Sequence, residues 1–380
     1  MLYSTRLRIH LGNIAENLRA IHKAVGAERT LLWVVKADGY GHGAVPLARK
    51  AQEENLVDWF GVATVPEAIE LREAGITLPI LKLSPAFENE MAAALEHDVT
   101  LTVADPDNAD ALERTCRGTG RRASIHLKID TGLARIGVDP QDAAALARHL
   151  DEHCPHLSLD GVFTHLSVAD VPAEDPFTER QLDLFGDAVA AVSAATGRTP
   201  PHVHAANSAG ILAHGRSWLT MVRAGIIGYG ALPGPTAARS IPLFPGLSWV
   251  SRVSFVKTVE AGTTVSYGRT WTAPRTTRIA TVPVGYGDGL SRFLSNRGRF
   301  LVNGRSYPIA GRVCMDQTMI DVGDSPDVSV GDEVVIVGGS GDLRITIEEM
   351  AGTIGTVPYE LFCYLTPRMP RDYDETFGAA

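Results

Sequence analysis

The stretch WVVKADGYGHG, residues 33–43, places Lys36 at the end of an apolar run and follows it with a glycine-rich turn carrying Tyr40 and His42. An ε-amine at the tip of a buried strand becomes a nucleophile when burial keeps it uncharged. Other polar side chains stand in comparable places. Lys128 and Asp130 run into TGLAR with Arg135, His165 follows an apolar run in FTHLS, Asn207 and Ser208 end HAANS, and Arg223 precedes AGIIGYG. The glycine N–H groups of GYGALPG could hold a single phosphate, although their spacing is not that of a dinucleotide loop. An amine, a phosphate cradle and arginines around one mouth describe a pyridoxal phosphate site, in which the lysine forms an imine with the cofactor aldehyde.

Each of these residues also has a plainer role. A strand-end lysine can neutralise a carboxylate, His165 can be a hydrogen-bonded core histidine, and Arg135 and Arg223 can be structural ion-pair partners. His202 and His204 alternate on one strand face but find no third ligand, so packing is expected of them and no metal site is read. What favours chemistry is the joint placement of the set, and that depends on the elements beneath it.

Between residues 11 and 224, eight apolar or β-branched runs alternate with segments of helical period: LLWVVKA, WFGVAT, PILKLSP, VTLTVAD, ASIHLKID, LSLDGVFTHLS, HVHAANS and LTMVRAG. The expected fold class is therefore α/β plus β. It begins with an N-terminal (β/α)8 TIM-type barrel, whose active site lies where the strands end, and a doubly wound open sheet is the competing topology. After the Gly- and Pro-rich GYGALPGPTAARSIPLFPGL come alternating segments without long helices, LSWVSRVSFVKTV, TRIATVPVGY and VGDEVVIVG. An Asn-Gly hairpin signal in RFLVNGRSYPI and a capping box from Thr346 to Glu349 complete a C-terminal, mostly β domain. The expected division is 1–240 and 241–380, with the first ten or so residues packing on the second domain.

A chain of 380 residues exceeds one hydrophobic core, and 45% hydrophobic against 21% charged residues excludes a disordered or fibrous class. The net charge of −9 offers no footprint for nucleic acid. Cys116, Cys154, Cys314 and Cys363 lie far apart without a CxxC pair, which suits a reducing cytoplasm, and no membrane span or export signal is expected.

The motifs VVKADGYGHG, LKIDTGLARIGV, FTHLS, HAANSAG, RAGIIGYG, VSYGRTW, VPVGYGDG and GRVCMDQTMIDV follow one another as they do in bacterial alanine racemases, and nearly the whole chain resembles that family of fold type III pyridoxal phosphate enzymes. The resemblance implies a head-to-tail homodimer in which each active site combines one barrel with the other chain's β domain. It implies that Lys36 carries the cofactor, that Tyr40, Ser208, Gly225 and Ile226 hold its phosphate beside Asn207, and that Arg223 faces the pyridine nitrogen. His165 would lie against the ring and connect Arg223 to Tyr267. Arg135 and the Met315 backbone N–H would take the substrate carboxylate, with Tyr286 and Asp316 at the entrance. Lys128 matches a lysine that many relatives carry as a carbamate bracing the arginine.

Lys36 would serve the D-enantiomer of alanine and Tyr267, from the other chain, the L-enantiomer, supplying D-alanine for peptidoglycan. A phenol with a pKa of about 10 is a poor base, so a positive environment reaching it through His165 and Arg223 is expected. The chain departs from the family at ADGYGHG, where many relatives read ANAYGHG, and at Pro367, where some have a tyrosine near the phosphate. Three alternatives stay open: a broad-spectrum or serine-accepting racemase, a basic amino acid decarboxylase, and a single-barrel pyridoxal phosphate binding protein, which would lack the second domain with Tyr267 and Met315.

Overall fold

In the computed structural model, which describes residues 3–378, every expected run contributes a stave to a barrel. Apart from β1 (Arg6–His10), the strands are β2 (Thr30–Val34), β3 (Trp59–Val62), β4 (Ile80–Lys82), β5 (Val99–Val103), β6 (Ala123–Lys128), β7 (Leu157–Phe163), β8 (His202–His204) and β9 (Met221–Ala224). They pair in parallel in the order β8-β7-β6-β5-β4-β3-β2-β9. At the seam, Thr220 N donates to Val203 O at 3.2 Å and Arg223 N to Ala206 O at 3.0 Å, so the sheet nearly closes on itself and an open doubly wound sheet is excluded. β5 is buried along its whole length because helices cover its outer face, which is why it reads as an unbroken run of apolar and β-branched residues.

One helix does more than cover the barrel. The helix Val65–Glu73 starts with a capping box: Thr64 Oγ1 accepts from Glu67 N, and Glu67 Oε2 accepts from Thr64 N at 3.0 Å. The other oxygen of Glu67 accepts from Ala37 N at 2.7 Å and so reaches the turn that carries Lys36.

The expected strand LSWVSRVSFVKTV is two strands in different sheets. β10 (Leu247–Arg252) pairs with β1 and with Glu333–Ser340 in a seven-stranded sheet, and β11 (Phe255–Val259) joins Thr277–Val282 and Thr318–Gly323 in a three-stranded one. Val253 N donates to Asp332 O in the first neighbourhood and Ser254 N to Thr281 O in the second, handing the chain across. The alternation of side chains continues through this bend, so sequence period alone cannot register it. β1 lies between β10, antiparallel to it, and Arg371–Asp374, parallel to it, which places the first strand in the second domain's sheet.

The hairpin of Arg299–Val302 and Arg305–Pro308 turns on Asn303 and Gly304, both at positive φ as a type I′ turn requires. Thr346 caps the helix Ile347–Ile354 by accepting from Glu349 N, but the Glu349 carboxylate binds Arg299 instead of returning to the cap. No helix among the described residues is long and apolar enough to cross a membrane.

Candidate active site

β2 stops at Val34, and Lys36 opens a turn rather than ending a strand. Ala37, Asp38, Gly39 and Tyr40 have φ values of 52, 52, 59 and 48°, a run of left-handed backbone that costs each non-glycine residue about 1–2 kcal/mol. The turn persists because its surroundings over-determine it. Glu67 holds Ala37 N, Asp38 Oδ1 accepts from Ala44 N at 2.9 Å, and Arg371 Nε donates to Gly41 O at 2.9 Å. His42, fully buried, faces Tyr40 O at 2.8 Å and Gly39 O at 3.1 Å with Nδ1. Burial pulls its imidazole down to about 4, so the ring is neutral and carries its proton on Nδ1. Burial, with the Arg135 guanidinium second, pulls the Lys36 amine below the usual lysine range. The strained turn thus presents an amine that is easier to deprotonate.

Arg223, at the end of β9, is almost wholly buried and bound by carbonyls and imidazoles. NH1 donates to His204 Nδ1 at 2.9 Å and His204 O at 3.2 Å, and NH2 donates to Thr164 O at 2.8 Å, Ala205 O at 3.0 Å and His165 Nδ1 at 3.3 Å. Burial and Arg135 bring the guanidinium down to about 9, which leaves it charged at neutral pH. Because His165 Nδ1 accepts, its proton sits on Nε2. The 3.5 Å approach of Asn207 Nδ2 to that nitrogen is then a packing contact, since Asn207 Nδ2 donates to Leu166 O and its Oδ1 accepts from Gly210 N. Burial, reinforced by Arg223, holds His165 well below the usual imidazole range. The positive environment expected from His165 and Arg223 together therefore comes from Arg223, with His165 a neutral intermediary.

Lys128, at the end of β6, lies beneath this group with its amine over the Phe163 ring at 4.8 Å and one long hydrogen bond, 3.4 Å, to Ile129 O. Burial first, then Arg223, holds it well below the usual lysine range. Asp130 has a structural task. It accepts from the backbone N–H groups of Gly132, Ala134 and Arg135 at 2.9, 3.1 and 3.1 Å, which outweighs burial and keeps its carboxyl below the usual range. The loop so fixed carries Arg135, whose side chain stands exposed beside a hollow of about 190 Å³ also lined by His165, Asn207 and Tyr359.

Beside that hollow, Ser208 Oγ accepts from Gly225 N at 2.9 Å, and the glycine leaves room that a side chain would fill. A Cβ at Gly225 would stand 3.2 Å from Ser208 Oγ and 3.3 Å from Tyr40 Oη. Two hydroxyls and a bare backbone thus converge at Gly225, and the next residue, Ile226, is fully buried. Sequence reasoning missed Tyr359, whose ring meets Tyr40 edge-on at 5.8 Å and whose hydroxyl bonds Ser208. Burial raises both phenols, so they serve as neutral donors. Tyr359 stands on the helix Pro358–Cys363, while Pro367, where some relatives have a tyrosine, is exposed. Cys363, at the end of that helix, also acts electrostatically on Lys36 and was not foreseen.

The remaining expected residues sit together elsewhere. Tyr267 is 72% exposed, on a turn with Ser266 and Gly268 at positive φ, and Ser266 Oγ donates to Arg312 O. Tyr286 N donates to Cys314 O and Gly287 N to Met315 O, so Tyr267, Tyr286 and Met315 share one face of the second domain, with Met315 53% exposed. Asp316 is paired with Arg368 at 2.7 Å. Among the described residues, no hydrogen bond, ion pair or ring contact joins this face to the barrel-mouth set.

Two other features lie apart from the mouth. Asp110, His149 and Cys154 bring three metal-type donors together on the outer helices, but His149 already faces Asp110 at 2.7 Å, and burial with nearby carboxylates pushes the Cys154 thiol up to about 12. A larger hollow, about 660 Å³, opens between the segment 229–247 and the second domain, and none of the candidate residues lines it.

Residues 9–233 match the family model of the alanine racemase N-terminal domain and residues 246–373 that of the C-terminal domain. The chain is 49% identical over 364 residues to the alanine racemase of Cutibacterium acnes, covering 96% of each chain, and 44% identical to that of Symbiobacterium thermophilum, covering 97% of each. It superposes on the alanine racemase of Clostridium difficile with a TM-score of 0.92 at 34% identity, covering 98% of this chain and 96% of that one. The Bacillus anthracis enzyme with bound L-Ala-P gives 0.91 at 33%, covering 98% and 96%. Fold and site thus define an isomerase acting on amino acids. More narrowly, the chain belongs to the alanine racemase family, whose barrel and β domain it reproduces along nearly its whole length.

Proposed function

We propose that this racemase interconverts L- and D-alanine with pyridoxal 5'-phosphate by a two-base mechanism, in a homodimer whose active sites are shared. The observation that carries the reading is the Lys36 amine, held by burial below the usual lysine range, at the same mouth as the bare Gly225–Ser208 hollow and the buried Arg223. The residues fit the cofactor. Gly225 N, Ser208, Tyr40 and Tyr359 would take its phosphate, with Ile226 and Asn207 alongside, and Lys36 its aldehyde carbon. Arg223 has both terminal nitrogens engaged by protein acceptors and only Nε without a partner among the described residues, which suits a pyridine nitrogen. When bound, pyridoxal phosphate supplies an aldehyde for the amino group and a ring that withdraws electrons from Cα.

The protein's own groups do the rest. Inverting Cα requires removing a proton from one face and returning one to the other, so two acid/base groups must stand opposite each other. Lys36 Nζ serves the D-face. Tyr267 of the partner subunit serves the L-face, with the positive charge of Arg223, relayed through neutral His165, favouring its phenolate. Arg135 and the Met315 backbone N–H orient the substrate carboxylate, and Tyr286 and Asp316 narrow the entrance. Lys128, a buried amine among guanidinium groups, is where a carbamate would replace like-charge repulsion with attraction.

The working division of the chain is a cofactor-holding barrel over 1–240, with its first strand lent to the β domain, and a β domain over 241–380 that completes the partner's site. Four free thiols and a net charge of −9 support a cytoplasmic enzyme making D-alanine for peptidoglycan. Borohydride reduction of the holoprotein followed by peptide mapping should label Lys36, and a chiral product assay over a panel of L-amino acids should favour alanine. An unlabelled Lys36 overturns the cofactor assignment, and equal turnover of serine overturns the substrate preference.

A further inference from the structure

Two histidines in the barrel interior beneath Arg223 have no part in the proton transfers above. His204 Nδ1 accepts from Arg223 NH1 at 2.9 Å, and His204 Nε2 lies 2.9 Å from Nδ1 of His126 on β6. A guanidinium only donates, so His204 Nδ1 carries no proton. Burial, with Arg223 next, keeps His204 well below the usual imidazole range. His126 is drawn down to about 3 by burial, then by His202 and Arg223. With both rings neutral, the proton of His204 sits on Nε2 and is donated to His126 Nδ1, and His126 keeps its own proton on Nε2. The guanidinium at one end and the His126 acceptor at the other agree on one direction for every bond in the chain.

The fold makes specific room for the His126 ring. Opposite it on β7 stands Gly161, where a Cβ would come within 2.5 Å of Nδ1 and 2.6 Å of both Cδ2 and Cε1. The pairing of β6 with β7 shifts register between Ile125 and His126, and the rings of Trp59 and His202 close in at 5.4 and 5.8 Å. His126 Nε2 has no hydrogen-bond partner among the described residues, so the fold keeps this ring although one of its polar atoms is buried and unsatisfied.

We propose that His126 is a positioning residue for racemisation: by accepting from His204 it fixes that ring's tautomer, and through it the place of the Arg223 guanidinium. In the other tautomer, an N–H on His204 Nδ1 would face the N–H of Arg223 NH1 across 2.9 Å and drive the guanidinium away. The inference rests on the reading above that Arg223 meets the cofactor ring.

The test compares holoenzyme carrying His126→Leu, which removes the acceptor, with His126→Asn, whose side-chain oxygen can stand where Nδ1 stood. His126→Leu should lower kcat roughly tenfold, about the worth of one hydrogen bond to a charged network, while KM for alanine stays within about twofold. Its cofactor absorbance should shift, and His126→Asn should restore most of both. Gly161→Ala, which displaces the ring without altering its chemistry, should resemble His126→Leu. Neutron diffraction of the unaltered enzyme should show deuterium on Nε2 of both rings. Deuterium on Nδ1 of His204 overturns the proposal, as does a folded His126→Leu enzyme with unchanged kcat and absorbance. If His126→Leu does not fold, the neutron map and the Asn and Gly161→Ala variants decide. An unaltered enzyme that lacks cofactor absorbance would instead overturn the cofactor assignment, so the two failures are distinguishable.

Discussion

At the barrel mouth Arg223 is 3% exposed and donates hydrogen bonds to carbonyls and imidazoles on β8 and on the loops that follow β7 and β8, whereas Tyr267, on the second-domain face, is 72% exposed and has no hydrogen bond from its hydroxyl among the described residues. The first region is finished within one chain: its charges are desolvated, its tautomers set, its backbone strain held by Glu67, His42 and Arg371. The second is a set of exposed side chains, Tyr267, Tyr286 and Met315, gathered on one face of the β domain. On the proposed function the two styles have a reason: the cation and amine are tuned by burial within one chain, while the opposing acid/base group would come from a second chain and complete the site on docking.

The sharpest way to break this contrast is a mixing experiment. Lys36→Ala and Tyr267→Phe enzymes should each lose roughly a thousandfold or more in kcat, because each lacks one of two proton-transfer groups. When the two inactive proteins are dissociated and reassociated together, half of the dimers are mixed, and one of the two sites in each is intact. Activity should then return to about a quarter of the original. No recovery would mean that both groups come from the same chain.

The next effect concerns the interior alone. His42 and His126 sit at about 4 and about 3, below the roughly 6.5 of an unfolded imidazole. Between those values the unfolded chain binds protons that the folded barrel excludes, so stability is complete above pH ~6.5 and is lost as pH falls, at about 1.4 kcal/mol for each unit of displacement. Melting temperatures measured between pH ~7 and pH ~4 should therefore fall steeply. His42→Asn, which can still donate to Gly39 O and Tyr40 O, should flatten the curve. A profile indifferent to that change would mean the buried imidazoles do not control it.

Gly225→Ala tests the hollow. With Ser208 Oγ and Tyr40 Oη as close as 3.2 and 3.3 Å, the added methyl must push both hydroxyls, and cofactor affinity should weaken about tenfold with little change in melting temperature. Titration of apoenzyme by fluorescence reads it directly. The smallest effect is expected far from the site: Thr346→Ala removes a helix cap worth about 1 kcal/mol and should leave kcat unchanged. Denaturant unfolding checks the stability, and a loss of activity there would show that the helix Ile347–Ile354 is coupled to the site.

Much of this is legible in the sequence, for physical reasons that differ by element. Barrel staves announce themselves because strands covered on both faces must be apolar throughout, and the polar residues that interrupt such runs, Lys36, Lys128 and Arg223, stand out against them. The left-handed turn after Val35 did not show, because Ala37 and Tyr40 have no local preference for it; it is imposed by the Glu67 bond from a distant segment and by the Asp38 bond to Ala44. The handover from β10 to β11 hid inside an unbroken alternation. Tyr359 was invisible as a partner of Ser208 because only the docking of the second domain on the barrel brings them together. The link from His204 to His126 likewise crosses two strand pairings, although both histidines were in plain view.

The placement of β1 has a consequence for how the polypeptide can be divided. Its residues are hydrogen-bonded on both edges inside the second domain's sheet, between β10 and Arg371–Asp374, while the next element, the helix Leu11–Val25, packs on the barrel. A gene fragment starting near residue 241 would thus encode a sheet with a missing middle strand and two unpaired edges, prone to self-association. Co-supplied as a short peptide, RLRIH should fill that slot, making the fragment a candidate for split-protein complementation.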